Sequence, residues 1–206
     1  MSQTQIYRTV KTNTEGLYKE KGSKFLAFVF PCNNSDDAKK HIALLWKKNP
    51  NAVHVCFAWR FGKVKFQDRF SDDDEPNNSA GKPIFGQILS FELTNILIAV
   101  VRYYGGTNLG VGGLITAYKE ASKDALVKAA IEENYISDYF EIIYPYDLTG
   151  DVLNLLQKIG VDIISQNFND VGPLTQFKVR QERTKIIQKE FSINPNYKLT
   201  LIESDK

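Results

Sequence analysis

ILIAVVRYYGGTNLGVGGLITAY, residues 96–118, passes without a break from an apolar run through a glycine-rich loop into a helical pattern, and the architecture hinges on it. The run from Ile96 to Val101 is too short to span a membrane and has the continuous branched character of a strand covered on both faces, which places it at the centre of a sheet. Arg102, Tyr103 and Tyr104 then put a cation and two rings at the strand's end. Gly105, Gly106, Gly110, Gly112 and Gly113 permit positive φ and close backbone approach. Several N–H groups can therefore point into one concavity at the start of a helix predicted from about Leu114 to Glu133. That chemistry suits an anion, and the alternative is a plain tight connection. Neither common nucleotide loop is present: Leu114 stands where a phosphate-binding loop needs Lys, and Ile115 where a dinucleotide loop needs its third small residue.

Just upstream, Asp72, Asp73, Asp74 and Glu75 precede Pro76, Asn77 and Asn78, all turn-favouring residues. Four adjacent carboxylates repel unless cations or amides answer them. One reading is a solvated turn whose carboxylates pair with Lys82 or Arg102 and cap helix ends; the sharper alternative is that Asp72, Asp73 and Glu75 orient Arg102 and the glycine loop, making both halves of the stretch one site. A calcium loop of the helix–loop–helix type lacks its spacing and glycine here, so no metal is assigned. The next helix begins between Ser79 and Gly81, because Pro83 is tolerated only in a first turn, and Ser79 is the expected cap. Ile84, Ile88 and Phe91 form its apolar stripe, which leaves Lys82 near a second helix N-terminus.

DDDEPNNSAGKPI at 72–84 and VVRYYGGTNLGVGGLITAY at 100–118 resemble, in order and spacing, the signature of the Impact/YigZ family. GSKFLA at 22–27 and AVHVCFAWRFG at 52–62 are similar to its earlier blocks. Asp74 stands where the family carries Gly, Ser79 for Thr, Asn108 for Lys and Thr116 for Arg; two cations are lost beside the glycine loop and one carboxylate is gained, which weakens phosphate binding there. The resemblance implies an α+β chain of two domains: a ribosomal protein S5 domain 2-like domain at 1–136, then a ferredoxin-like domain at 137–206, similar to the last two domains of elongation factor G. Eukaryotic members regulate translation by binding a kinase activator through an additional RWD domain, for which this chain has no room, so that partner is not carried over.

With 206 residues, 43% of them hydrophobic, the chain is long enough to bury a substantial core. MSQTQIYRTV lacks the apolar core of a signal peptide, and no run is long enough for a transmembrane helix, so a cytoplasmic location is expected. Cys32 and Cys56 both sit among apolar neighbours, which suits reduced thiols. Net charge is +2, but unevenly spread: residues 1–67 hold 12 Lys/Arg against 4 Asp/Glu. That first third is a candidate footprint for a polyanion, although solvated lysines explain much of it.

Taken in order, Ile6 to Lys11 reads as a strand, and Leu17 to Pro31 as a single strand with a bulge at Gly22. A helix runs from Ser35 to about Lys48. Val53 to Phe61 alternates, with Val53, Val55, Phe57, Trp59 and Phe61 on a core face and His54, Cys56, Ala58 and Arg60 opposite. His54 and Cys56 are too far apart on a strand, roughly 6–7 Å, to act as base and nucleophile. Beyond a boundary near Asn134 to Asp138, strands at 140–146, 161–167, 174–180 and 197–203 and helices at 151–159 and 182–191 give the βαββαβ order.

These readings favour a non-catalytic RNA- or ribosome-associated protein, in which Arg102, Tyr103, Lys82 and the five glycines engage phosphates or stack a base. Two alternatives stand beside it. One is an enzyme or binder of a phosphorylated or carboxylated metabolite at the same loop, with Glu75 or Asp72 as base; the other is a protein–protein adaptor. No cofactor and no membrane partner is implied, and the oligomeric state is not legible.

Overall fold

The structure, a computed structural model, describes residues 6–205. Residues 1–5, the first half of the stretch read against a signal peptide, and Lys206 lie outside them. Tyr7–Asn134 forms one compact unit, and Ile6 with Tyr135 onward a second, so the short paired strands Ile6–Val10 and Ile131–Tyr135 each have one end residue across the boundary.

The first unit contains β1 (Ile6–Val10), β2 (Thr14–Glu20), β3 (Ser23–Pro31), α1 (Ser35–Lys48), β4 (His54–Phe61), β5 (Gln67–Ser71), α2 (Gly81–Ser90), β6 (Ile96–Tyr103), α3 (Gly110–Lys128) and β7 (Ile131–Tyr135). Its main sheet has the order β2-β3-β6-β4-β5, antiparallel throughout. β6 is central for the reason its sequence suggests. Ile96, Ile98 and Val100 pack with Ile84 and Ile88 of α2 and Ala117, Tyr118 and Ala121 of α3. On the other face Leu97 joins Ala38 of α1, while Ala99 and Val101 join Leu45. A strand between two helical layers has no face left for a polar residue.

Several expectations need correction. The stretch from Leu17 to Pro31 is two strands rather than one. Lys21 (φ 46°) and Gly22 (φ 81°) fold it into a hairpin, the left-handed pair that a two-residue turn requires. β4 buries both faces, since Cys56 and Ala58 are as enclosed as Trp59 and Phe61, because it lies inside the sheet with α2 and α3 over its second side. α3 begins within the glycine loop at Gly110 and ends at Lys128; the chain then turns extended to add β7 beside β1. Tertiary pairing outweighs the helical preference of Glu132 and Glu133 there. β5, hidden in the polar run before the acidic turn, is an additional strand.

The second unit contains β8 (Ser137–Ile143), α4 (Thr149–Ile159), β9 (Asp162–Asn169), β10 (Gly172–Arg180), α5 (Thr184–Phe191) and β11 (Lys198–Ser204), with sheet order β11-β8-β10-β9. Phe140, Ile142, Phe177 and Val179 pack against Val152, Leu156, Ile187 and Phe191 of its helices. Gly160, at φ 74°, closes α4 in the left-handed conformation that ends helices. The chain is thus α+β with two units, S5 domain 2-like and then ferredoxin-like. No described helix is long and apolar enough to cross a membrane.

Candidate functional site

One end of the five-stranded sheet gathers the groups with chemistry. β6 delivers Arg102 there, paired across the ladders with Phe25 of β3 and His54 of β4. The acidic turn returns to the same place, because Asp73 Oδ2 accepts the Val55 amide at 2.7 Å and the Asp73 carbonyl accepts from His54 Nδ1 at 2.6 Å.

Each carboxylate of the turn is answered differently. Asp72 Oδ1 accepts the Ala80 and Gly81 amides at 2.9 and 2.8 Å, and its Oδ2 accepts the Asn78 amide at 2.8 Å. Asp72 therefore caps α2 from a distance, at the helix end where negative charge is favoured. The expected cap, Ser79, is fully buried and its hydroxyl has no partner among the described residues, a correction imposed by the turn folding back over the helix start. Glu75, 7% exposed, meets Arg102, 6% exposed, with Oε1 2.5 Å from Nη1. The Tyr118 hydroxyl donates to the same oxygen at 2.7 Å, and His54 Nε2 lies 4.0 Å away. Asp74 and Lys82 are exposed, and Lys82 has no ion-pair partner among the described residues.

Burial dominates the chemistry of this cluster. The Cys56 thiol, 3.0 Å from the Asp72 carbonyl and 3.3 Å from the Tyr118 hydroxyl, is pushed up by burial and stays protonated. The Tyr118 hydroxyl is likewise pushed up, first by burial and then by Cys56 and Glu75. Neither is a nucleophile or base in this setting. Glu75 and Asp72, the bases considered for an enzyme, are engaged by Arg102 and Tyr118 and by main-chain amides respectively. No group of three or more His, Cys, Asp or Glu among the described residues is placed to hold a metal ion.

The glycine loop follows β6, starting just after Tyr104, whose ring lies by the Arg102 guanidinium. Arg102 does not stand at its rim: the guanidinium is enclosed, 5.5 Å from the Phe25 ring centroid and 5.6 Å from that of Tyr104. The Tyr103 hydroxyl turns away to donate to Asn49 at 2.6 Å. Tyr104 donates to Asn108 Oδ1, and Thr116 donates to the Gly112 carbonyl, so two of the residues that depart from the family pattern make local bonds.

The five glycines divide into two kinds. Gly105 is packed on the β2–β3 hairpin, where a Cβ would fall 2.0 Å from the Gly22 carbonyl carbon, and its amide donates to Ser23 Oγ at 3.1 Å. A Cβ on Gly113 would meet the Leu109 side chain. Gly106, Gly110 and Gly112 face open space, the first two at φ 85° and 71°. No side chain caps α3, and among the described residues the amides of Gly106, Thr107, Asn108 and Leu109 have no acceptor. On the hairpin that Gly22 seats against Gly105, Lys21 and Lys24 are exposed and without ion-pair partners among the described residues, with Lys24 opposite Tyr103. The sequence reading did not single them out. The polar KEKGSK before the apolar FLAFVF was the available signal, and reading it as a bulge hid the turn.

The Impact N-terminal domain family model matches residues 21–126. The chain is similar to an IMPACT family member of Haemophilus influenzae, 36% identical over 150 residues, with 72% of this chain and 73% of the relative covered. It is also similar to the IMPACT family member YigZ of Escherichia coli, 37% identical over 108 residues, covering 52% of this chain and 53% of that protein. A crystal structure of a hypothetical protein matches 97% of this chain and 98% of its own, with TM-score 0.70 and 25% identity.

Proposed function

The chain belongs to the Impact family, and from that premise we propose that it is a non-catalytic RNA- or ribosome-associated protein, a regulator of translation, that holds anionic backbone groups at the glycine loop. One observation carries the reading: the hairpin that bears the exposed Lys21 and Lys24 is seated through Gly22 on Gly105 of a loop whose Gly106, Gly110 and Gly112 are open and whose helix start is uncapped. Cations beside unpaired amides at a helix N-terminus form an anion cradle without requiring catalytic groups. In this reading Arg102 and Glu75 support the loop from beneath, and Lys82 adds positive charge from α2. The binding cations stand outside the buried pair, where contact with phosphate does not require breaking it.

The test is binding of a single-stranded RNA oligonucleotide, followed by fluorescence anisotropy across a salt series, with cosedimentation on ribosomes alongside. Affinity should fall with salt, and the Lys21→Ala, Lys24→Ala double variant should weaken binding about tenfold at low salt and reduce the salt slope by about one unit per lysine. Binding that ignores both lysines, or no binding at low salt, removes the proposal.

A further inference from the structure

Away from the glycine loop, β5 closes the five-stranded sheet at one side. It pairs with β4 alone, so the outward-pointing amides and carbonyls of Gln67–Ser71 form an unpaired edge among the described residues. Its two faces differ in character. On the side of α2, Phe66 is 50% exposed, Phe70 is 42% exposed and stacks on Phe85 at 5.8 Å, and Leu89 follows one turn along α2 at 42% exposed. Arg60 lies between Phe66 and Phe85, 4.4 and 5.4 Å from their ring centroids, and its charge is answered by Asp68 through two bonds of 2.8 Å. This face is therefore apolar in effect. On the opposite face Arg69 lies 5.4 Å from the Trp59 ring centroid, exposed and with no ion-pair partner among the described residues.

We propose that the β5 edge is a docking site for an extended segment of another protein, one that alternates apolar and acidic side chains and adds to the sheet as a further antiparallel strand. Main-chain bonds supply the attachment in such augmentation, and alternate side chains supply the selectivity. Apolar side chains meet Phe66 and Phe70, while carboxylates on the other face meet Arg69.

Charge at Arg69 argues against a second copy of this chain at the edge. Two-fold antiparallel pairing must set residues of one face opposite one another. Centring it on Arg69 opposes Arg69 to itself, and centring it on Gln67 opposes Arg69 to Lys65, like charges that disfavour both registers. The exposed Arg69 suits an acidic complement instead.

The probe is the blocked peptide Thr-Val-Glu-Val-Glu-Val-Thr, titrated into the isotope-labelled full chain while backbone amide shifts and hydrogen exchange are read. Amides of residues 67–71 should shift and gain protection. Arg69→Glu, an exposed change that leaves the fold intact, should weaken the complex about fivefold, and the counterpart peptide with Lys in place of Glu should recover binding to that variant. The inference is overturned if millimolar peptide leaves these amides unmoved or if Arg69→Glu binds both peptides alike. A concentration-dependent dimer that protects the same amides without peptide also overturns it.

Discussion

Glu75 and Arg102 carry opposite charges into a space that water hardly reaches, and each is held there by the other. Taking one charge away leaves its partner buried and uncompensated, which is far costlier than losing a surface pair. Glu75→Gln keeps the shape and removes the charge, so it should destabilise the chain by about 3–5 kcal/mol, read as a lower urea midpoint at unchanged slope. Adding Arg102→Met should recover much of that loss, because an apolar side chain beside Phe25 needs no partner. A single-variant loss under about 1 kcal/mol would mean that the pair is not isolated from water. The residues themselves were visible in the sequence, and pairing of the acidic turn with Arg102 was among the expectations. The partnership of Tyr118 with Glu75 was not, because a tyrosine on the apolar side of a helix reads as core until its hydroxyl is seen to meet a carboxylate.

Between elements, the decisive contact is the backbone crossing of Gly22 and Gly105. No side chain fits there, since a Cβ on Gly105 would stand 2.2 Å from the Ser23 nitrogen as well as close to Gly22. Gly105→Ala should push the hairpin off the loop at about 1–3 kcal/mol and reduce RNA binding with the lysines still present. Gly106→Ala meets open space but sits at positive φ, so its effect should be limited to backbone strain of about 1 kcal/mol. Equal losses of RNA binding in the two variants would show that the hairpin's seat on the loop is immaterial. A similar close approach occurs where a Cβ on Gly16 of β2 would fall 2.4 Å from the Ala125 amide nitrogen, which is why the small residues along α3 suit a helix lying tightly on the sheet.

At the scale of the whole chain, charge is the property that separates regions: the positive excess of residues 1–67 lies in the first unit, with its hairpin lysines and α1, while the ferredoxin-like sheet carries mixed charges such as Lys178 paired with Asp162. Reversing Lys178 and Arg180 to Glu should therefore leave RNA affinity within about twofold of the parent, whereas reversing Lys21 and Lys24 should abolish it at moderate salt. Anisotropy on both pairs checks this, and comparable losses would shift the footprint onto the second sheet. Residue order alone was enough to find the central strand, the helix that follows the glycine loop and the βαββαβ order of the second unit. Apolar periodicity and turn residues are local signals, written into neighbouring positions. Folding in three dimensions buried Arg102 against Glu75, Phe25 and Tyr104 instead of leaving it at the loop's rim, made Asp72 rather than Ser79 the cap of α2, and put the exposed Lys21 and Lys24 on the hairpin packed against Gly105. Those outcomes depend on which backbones cross and which carboxylate arrives first, and close approach between distant segments leaves no periodic trace along the chain.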